Sequence, residues 1–213
     1  MTVQAVIWDF GGVFTTSPFD AFNRYERERG LPNDIIRRIN SINPDTNAWA
    51  RIERSEVDAA TFDLLFADEA KAIGFEIRGA DVLGLLSGDL RPRVVEAFNA
   101  CKARFKVGCI TNNAPTGKGA GMSASSDKAA AIADVFSAFD HVIESSKAGV
   151  RKPDPRIYRM MCDAIGVEPT NCVYLDDLGI NLKPAREMGM TTIKVTSEDQ
   201  LLADLSKAVG LDF

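Results

Sequence analysis

From Arg91 onward, short apolar runs alternate with stretches of helical periodicity, and that alternation admits few folds. The pattern predicts helices over 92–104, 127–135, 154–165, 179–188 and 198–208. Between them it predicts strands over 106–111, 140–144, 172–175 and 191–195. Pro92 suits the first turn of its helix, and Gly166 and Gly189 suit the positions just past the ends of theirs. Residues 3–9 add one more buried strand at the start of the chain. Strands that alternate with helices form a parallel sheet covered on both faces. The fold class is therefore α/β, with a Rossmann-like parallel sheet at its core.

Residues 17–90 interrupt this alternation. Phe19, Phe22 and Tyr25, then Ile35, Ile36 and Ile39, recur at helical spacing among arginines and glutamates. From Val57 to Ile73 the pattern repeats, with Phe62, Leu65, Phe66 and Ala70 on one face. Four or five helices and no strand are expected, broken near Gly30-Leu31-Pro32, Asn43-Pro44 and Gly74. The domain boundaries expected are a core of residues 1–16 and 91–213 and an all-helical insert over 17–90. Residues 114–126 contain only small, flexible or polar side chains apart from Met122 and read as a long loop. That loop begins beside Asn112 and either gates a site or is a tolerated insertion.

The 213 residues carry a net charge of −5, which argues against a nonspecific nucleic-acid binder. An anionic substrate remains compatible, because a bound cation and a few lysines reverse the sign inside one pocket. No apolar run approaches the length of a membrane span, and the N-terminus lacks a secretory pattern. The four cysteines, at 101, 109, 162 and 172, form no Cys-x-x-Cys pair. A reduced, cytoplasmic protein is expected. The single histidine, His141, excludes mechanisms that need several and reads as structural.

Four places put polar groups at or near the end of an apolar run. They are Asp9-Phe10-Gly11-Gly12, Thr111-Asn112, Lys152-Pro153-Asp154 and Asp176-Asp177. In an open parallel sheet, ligands bind beyond the carboxyl ends of the strands, so these residues can converge in one crevice. Asp9, Asp177 and a backbone carbonyl supply hard oxygen ligands of the kind Mg²⁺ takes. Thr111 and Asn112 offer a hydroxyl and an amide to a phosphoryl oxygen, and Lys152 adds positive charge. Such a set stabilises a transferring phosphoryl group, and an aspartate held by it can itself attack phosphorus.

These motifs, in this order, resemble those of the haloacid-dehalogenase-like hydrolases. The run Tyr174-Leu175-Asp176-Asp177-Leu178-Gly179-Ile180-Asn181 is especially similar to the N-terminal phosphatase domain of soluble epoxide hydrolases and their bacterial relatives. The resemblance implies that residues 17–90 are a cap domain. It implies Asp9 as nucleophile and Asp9, Asp177 and the Gly11 carbonyl as Mg²⁺ ligands. Thr111 and Asn112 would bind the phosphoryl group, Lys152 would neutralise charge, and Asp176 and Asn181 would support them. The substrate implied is a small phosphorylated molecule.

One position departs from the family pattern. Its phosphatases usually carry a second aspartate two residues after the nucleophile, where this chain has Gly11. Glycine keeps a carbonyl for a metal but has no side chain to move a proton. Loss of general acid–base help lowers rates about 10²–10⁴-fold. Aryl or acyl phosphates, whose leaving groups need no proton, are therefore expected to react better than sugar phosphates. Two other readings share the sequence: a metal-independent haloacid dehalogenase, and a non-catalytic phosphate-binding module.

Taken singly, each motif has a plainer reading. Asp9 or Asp176-Asp177 can cap a turn or helix, Thr111-Asn112 can mark a turn, and Lys152 can be a solvated loop lysine. Asn181 can be an ordinary residue of a first helical turn. In the helical insert, Arg24, Arg37, Arg38 and Arg51 either meet an anionic substrate or lie solvated. Trp49 is either a lid or a core aromatic. Whether the chain forms a homo-oligomer is open in the sequence.

Overall fold

A computed structural model describes residues 2–114 and 126–213. The loop expected over 114–126, and any gating by it, lies outside the described residues except for its two end positions.

Five parallel strands form one sheet: β1 (Ala5–Trp8), β2 (Lys106–Thr111), β3 (His141–Glu144), β4 (Cys172–Asp176) and β5 (Thr191–Lys194). Their order is β3-β2-β1-β4-β5. β1 is therefore central, and the chain builds first to one side of it and then to the other. That reversal is a topological switch point, where the crevice of such a sheet opens beyond the strand ends. In register, Trp8 lies beside Cys109 of β2 and Leu175 of β4, so Asp9 falls level with the last residue of β4, Asp176, and one short of the end of β2.

Between β1 and β2 come α1 (Pro18–Glu28), α2 (Ile35–Ser41), α3 (Ala48–Glu53), α4 (Ala59–Ala72), α5 (Gly79–Gly84) and α6 (Pro92–Lys102). Then follow α7 (Ser126–Ser137), α8 (Ser145–Ala148), α9 (Pro155–Ile165), α10 (Gly179–Glu187) and α11 (Glu198–Val209). The expected strands and helices are all present, within a few residues at their ends. The short helix α8 and a 3-10 turn at Pro169–Asn171 were not foreseen.

The sheet is buried on both faces, as its unbroken apolar runs require. Val6 and Trp8 pack with Phe98 of α6, Val135 of α7 and Leu205 of α11. Ala5 and Ile7 point the other way, to Tyr158 and Met161 of α9 and Ala185 of α10. α9 lies so close that a Cβ on Gly108 would sit 2.5 Å from the Met161 sulfur.

Helices α1 to α5 enclose an apolar cluster of their own, including Phe22, Ile36, Ile52, Phe62, Phe66 and Val82. Ser17, Asn47 and Asp58 cap the starts of α1, α3 and α4 through their side chains. The start of α2 is capped from a distance: Glu26 accepts from the amides of Asp34 (2.7 Å) and Ile36 (3.0 Å). The two passages between this block and the sheet run side by side. Thr15 pairs antiparallel with Leu90, and the Thr16 amide donates to Asp89 (2.9 Å).

Candidate active site at the carboxyl edge of the sheet

Asp9 leaves β1 with its amide still bonded to the Leu175 carbonyl (2.8 Å). The backbone therefore holds it in line with the sheet while its side chain emerges at the edge. The Phe10 amide donates to its Oδ1 (2.6 Å), and Lys152 Nζ lies 2.7 Å from the same oxygen. One oxygen of Asp9 is thus anchored, and the other, Oδ2, takes no hydrogen bond from the described residues.

Lys152 is 1% exposed, and its ammonium also donates to Asp176 Oδ2 (2.8 Å). A buried ammonium is stable only when paired. Burial pulls its pKa down, but Asp176 and Asp9 together outweigh that and hold it above the ordinary lysine value. Asp176 is fully buried and saturated. It accepts from Lys152, the Tyr174 hydroxyl, the Leu178 amide (2.8 Å) and the Asn181 carboxamide (3.0 and 3.1 Å). Asn181 is in turn fixed through its carbonyl, which accepts from the Tyr158 hydroxyl (2.6 Å). Asp176 is therefore the fixed counter-charge of Lys152, and Asn181 the residue that fixes it.

Asp177 is only partly buried and turns the other way, against the glycine turn. A Cβ on Gly12 would come within 2.3 Å of its Oδ2, and Gly12 has φ +75°. Only glycine allows this close approach at a left-handed position. A Cβ on Gly11, by contrast, would meet nothing within 4 Å. Arg91 braces the same turn by donating to the carbonyls of Gly12 (3.0 Å) and Val13 (3.3 Å).

Carboxylate oxygens of Asp9, Asp176 and Asp177 all lie within 4.8 Å of one another. Burial, reinforced by Asp176, pushes the Asp177 carboxyl up to about 7 against the pull of Lys152 and Arg91. Asp9 is likewise raised well above the usual carboxylate range by burial; Lys152 opposes this, and Asp176 and Asp177 add to it. Three crowded carboxylates face one lysine, which leaves room in the charge balance for a cation. The free Asp9 oxygen and the Asp177 carboxylate are hard oxygen donors of the type Mg²⁺ accepts, so these residues fit that ion.

Thr111 ends β2, 3% exposed, at the same edge. The Asn112 side chain is engaged by the core itself. Its Oδ1 accepts from the Lys152 amide (2.9 Å), and its Nδ2 donates to the Lys152 carbonyl (3.0 Å) and to Glu53 (3.4 Å). A carboxamide matches both polar groups of one residue's backbone, so the Asn112 side chain holds the lysine loop.

Of the insert residues, Arg37 is engaged by Asn23 and Asp34 and lies over the Phe19 ring, while Arg51 faces Glu56 at 4.0 Å. Trp49 packs edge-on against Phe22 and Phe62 as a core aromatic. His141 opens β3, and all four cysteines are buried and unpaired. Tyr174, Arg91 and Glu53 were missed in the sequence. Only Tyr174 carried a signal, since it stands two residues before Asp176 on one strand and shares its face.

Comparison with known proteins supplies the decisive observation: the family model for haloacid dehalogenase-like hydrolases matches residues 3–189. The chain belongs to that family. This haloacid dehalogenase-like hydrolase is 28% identical over 219 residues to phosphatase MT3486 of Mycobacterium tuberculosis, covering 97% of this chain and 95% of the relative. It is 28% identical over 228 residues to bifunctional epoxide hydrolase 2 of Mus musculus, covering all of this chain but 40% of the relative. The chain thus spans about two fifths of the epoxide hydrolases it matches. Its fold is shared with L-2-haloacid dehalogenase from Xanthobacter autotrophicus (TM-score 0.62, 22% identity, 97% and 83% of the two chains covered). No helix among the described residues is long and apolar enough to cross a membrane.

Proposed function

We propose that this hydrolase is a Mg²⁺-dependent phosphatase of small phosphate monoesters that works through an aspartyl-phosphate on Asp9. The observation that carries the reading is the division of labour among the acids. Asp176 is saturated by Lys152 and hydrogen bonds, whereas Asp9 Oδ2 takes no hydrogen bond from the described residues and Asp177 lies partly exposed against the glycine turn. Phosphatase MT3486, aligned over nearly its whole length, supports the same reaction class.

Asp9, Asp177 and the Gly11 carbonyl would hold Mg²⁺. When bound, the ion supplies positive charge to the phosphoryl oxygens and to the crowded carboxylates. A carboxylate oxygen of Asp9 attacks phosphorus, and the P–O bond to the leaving group breaks with its electron pair going to the departing oxygen. Lys152, fixed by Asp176, favours the ionised form of Asp9 and balances charge on the transferring group. Thr111 offers a hydroxyl to a phosphoryl oxygen, while Asn112 and Asn181 keep Lys152 and Asp176 in place. Water then attacks phosphorus, the bond between phosphorus and the Asp9 oxygen breaks with its electron pair returning to the carboxylate, and inorganic phosphate leaves while the proton lost by water passes to solvent. Helices α1 to α5 act as the cap that closes over the crevice and selects the substrate.

With Gly11 no proton donor stands two residues after the nucleophile. Aryl and acyl phosphates are therefore the expected better substrates. A screen of aryl, acyl, sugar and nucleotide monophosphates, with and without Mg²⁺, tests this. Metal-dependent phosphate release that vanishes in Asp9→Asn supports the reading. Chloride release from a 2-haloacid without metal, and no phosphate release, would replace it with the dehalogenase reading. Phosphate binding without turnover would leave a binding module.

A further inference from the structure

One buried carboxylate at the site plays no part in that chemistry. Glu53 is the last residue of α3, 7% exposed, and it reaches out of the helical block to the lysine loop. Its Oε1 accepts from Trp49 Nε1 (2.9 Å), one turn back on the same helix. Its Oε2 lies 2.6 Å from Arg151 Nε and accepts from Asn112 Nδ2 (3.4 Å). Arg151 also donates to the Pro44 carbonyl (2.9 Å), so it grips the block at two points. A third tie runs from the Ser55 hydroxyl to the Ser146 carbonyl (2.6 Å).

The two core residues that meet Glu53 are the immediate supports of Lys152. Arg151 precedes it in the chain, and Asn112 holds its backbone N–H and C=O together. A continuous path therefore runs from α3 through Glu53, Asn112 and Arg151 to the ammonium beside Asp9. The other buried glutamate of the helical block, Glu26, ends on amides within it, at the start of α2. Glu53 instead spends its carboxylate on the sheet domain.

We infer that Glu53 is a positioning residue: with Arg151 and Asn112 it latches the helical block to the lysine loop, so that Lys152 is held against Asp9 only while the block is closed. The inference deepens the phosphatase reading and rests on it for the role of Lys152, but the latch itself can be measured without substrate. Breaking it frees the lysine loop. Because Lys152 acts on the phosphoryl group common to every substrate, the kinetic loss is the same for all leaving groups.

The first test is hydrogen exchange at the Lys152 amide in the unliganded protein, comparing wild type, Glu53→Gln, Arg151→Met and the double variant. Circular dichroism establishes that each is folded. The expected result is exchange at least about tenfold faster in each single variant, with no further acceleration in the double variant. Unchanged protection in either folded single variant overturns the latch, whatever the activity. Faster exchange in a protein that hydrolyses no phosphate upholds the latch and removes only the phosphatase reading. The second test is kcat on aryl and alkyl phosphates. Glu53→Gln is expected to lower it about 10–100-fold, equally for both, as loss of an outer-shell partner does, and Glu53→Asp to recover part of it. A loss that grows as the leaving group becomes more basic overturns the positioning role and makes Glu53 a proton donor. No loss in kcat also overturns it.

Discussion

The sheet edge and the helical block both bury carboxylates, and they use them in opposite ways. Glu26 satisfies two backbone amides at the start of α2 and ends there. Asp9, Asp176 and Asp177 crowd together around a single lysine, and one Asp9 oxygen takes no hydrogen bond from the described residues. A buried acid whose lone pairs are consumed by amides is architecture. A buried acid left partly free beside like charges holds energy that only a cation, a proton or a reaction can release. The difference teaches that burial alone does not mark a site; like charges crowded around one cation with an oxygen left unsatisfied do.

The comparison breaks most sharply at the nucleophile. Asp9→Asn is expected to lower turnover at least about 10⁴-fold, the scale seen when a nucleophile is removed. Glu26→Gln should leave kcat per folded molecule unchanged and lower unfolding stability by about 1–3 kcal/mol, the cost of an impaired buried hydrogen-bond pair. Steady-state rates and urea unfolding of the two variants check this. A large kcat loss in Glu26→Gln would dissolve the distinction.

The two glycines of the first turn sharpen it next. Position 11 has open space for a side chain, so Gly11→Asp should raise kcat on alkyl phosphates, by up to about 10²–10⁴-fold, and change aryl phosphates far less. Gly12→Ala should instead disable the site, because its Cβ would strike Asp177 at a left-handed backbone position. No gain on alkyl phosphates in Gly11→Asp would mean that another group already supplies the proton.

The smallest effect concerns pH. The Asp177 carboxyl titrates near 7 in the folded chain against an ordinary 3.8. Between those values the folded state binds the extra proton, so its stability falls as pH rises from about 4 to about 7. Asp9 shifts in the same direction and adds to the fall. Mg²⁺ competes with that proton, so its affinity should be about tenfold weaker at pH 6 than at pH 8. Its effect on Tm should be larger at pH 8. Titration calorimetry at the two pH values reads this, and Asp177→Asn should weaken binding and reduce the dependence, leaving the contribution of Asp9. Equal affinity at both pH values would place the ion elsewhere.

Much of the sheet and the site was legible because both follow from local pattern. Short apolar runs predicted the strands, and the rule that such sheets bind at their carboxyl ends brought Asp9, Thr111, Lys152 and Asp176-Asp177 to one place. The division of roles within Asp176-Asp177 was less legible, since it depends on which oxygen meets Lys152 and which meets Gly12. The use of Asn112 was hidden because its partner lies 40 residues away. Glu53 and Arg91 were hidden for the same reason. A glutamate on an amphipathic helix and an arginine before a proline look solvated until the tertiary fold supplies their partners. The capping of α2 by Glu26 likewise needs a turn between the helices that periodicity does not show.

The central claim is that Asp9 carries the phosphoryl group. Acid quenching during turnover of an aryl phosphate, then borohydride reduction and peptide mapping, tests it most directly, since an aspartyl-phosphate is reduced to homoserine. The account predicts homoserine at position 9 in the wild type and none in Asp9→Asn. Steady phosphate release with position 9 unmodified, or reduction at another carboxylate, would contradict it.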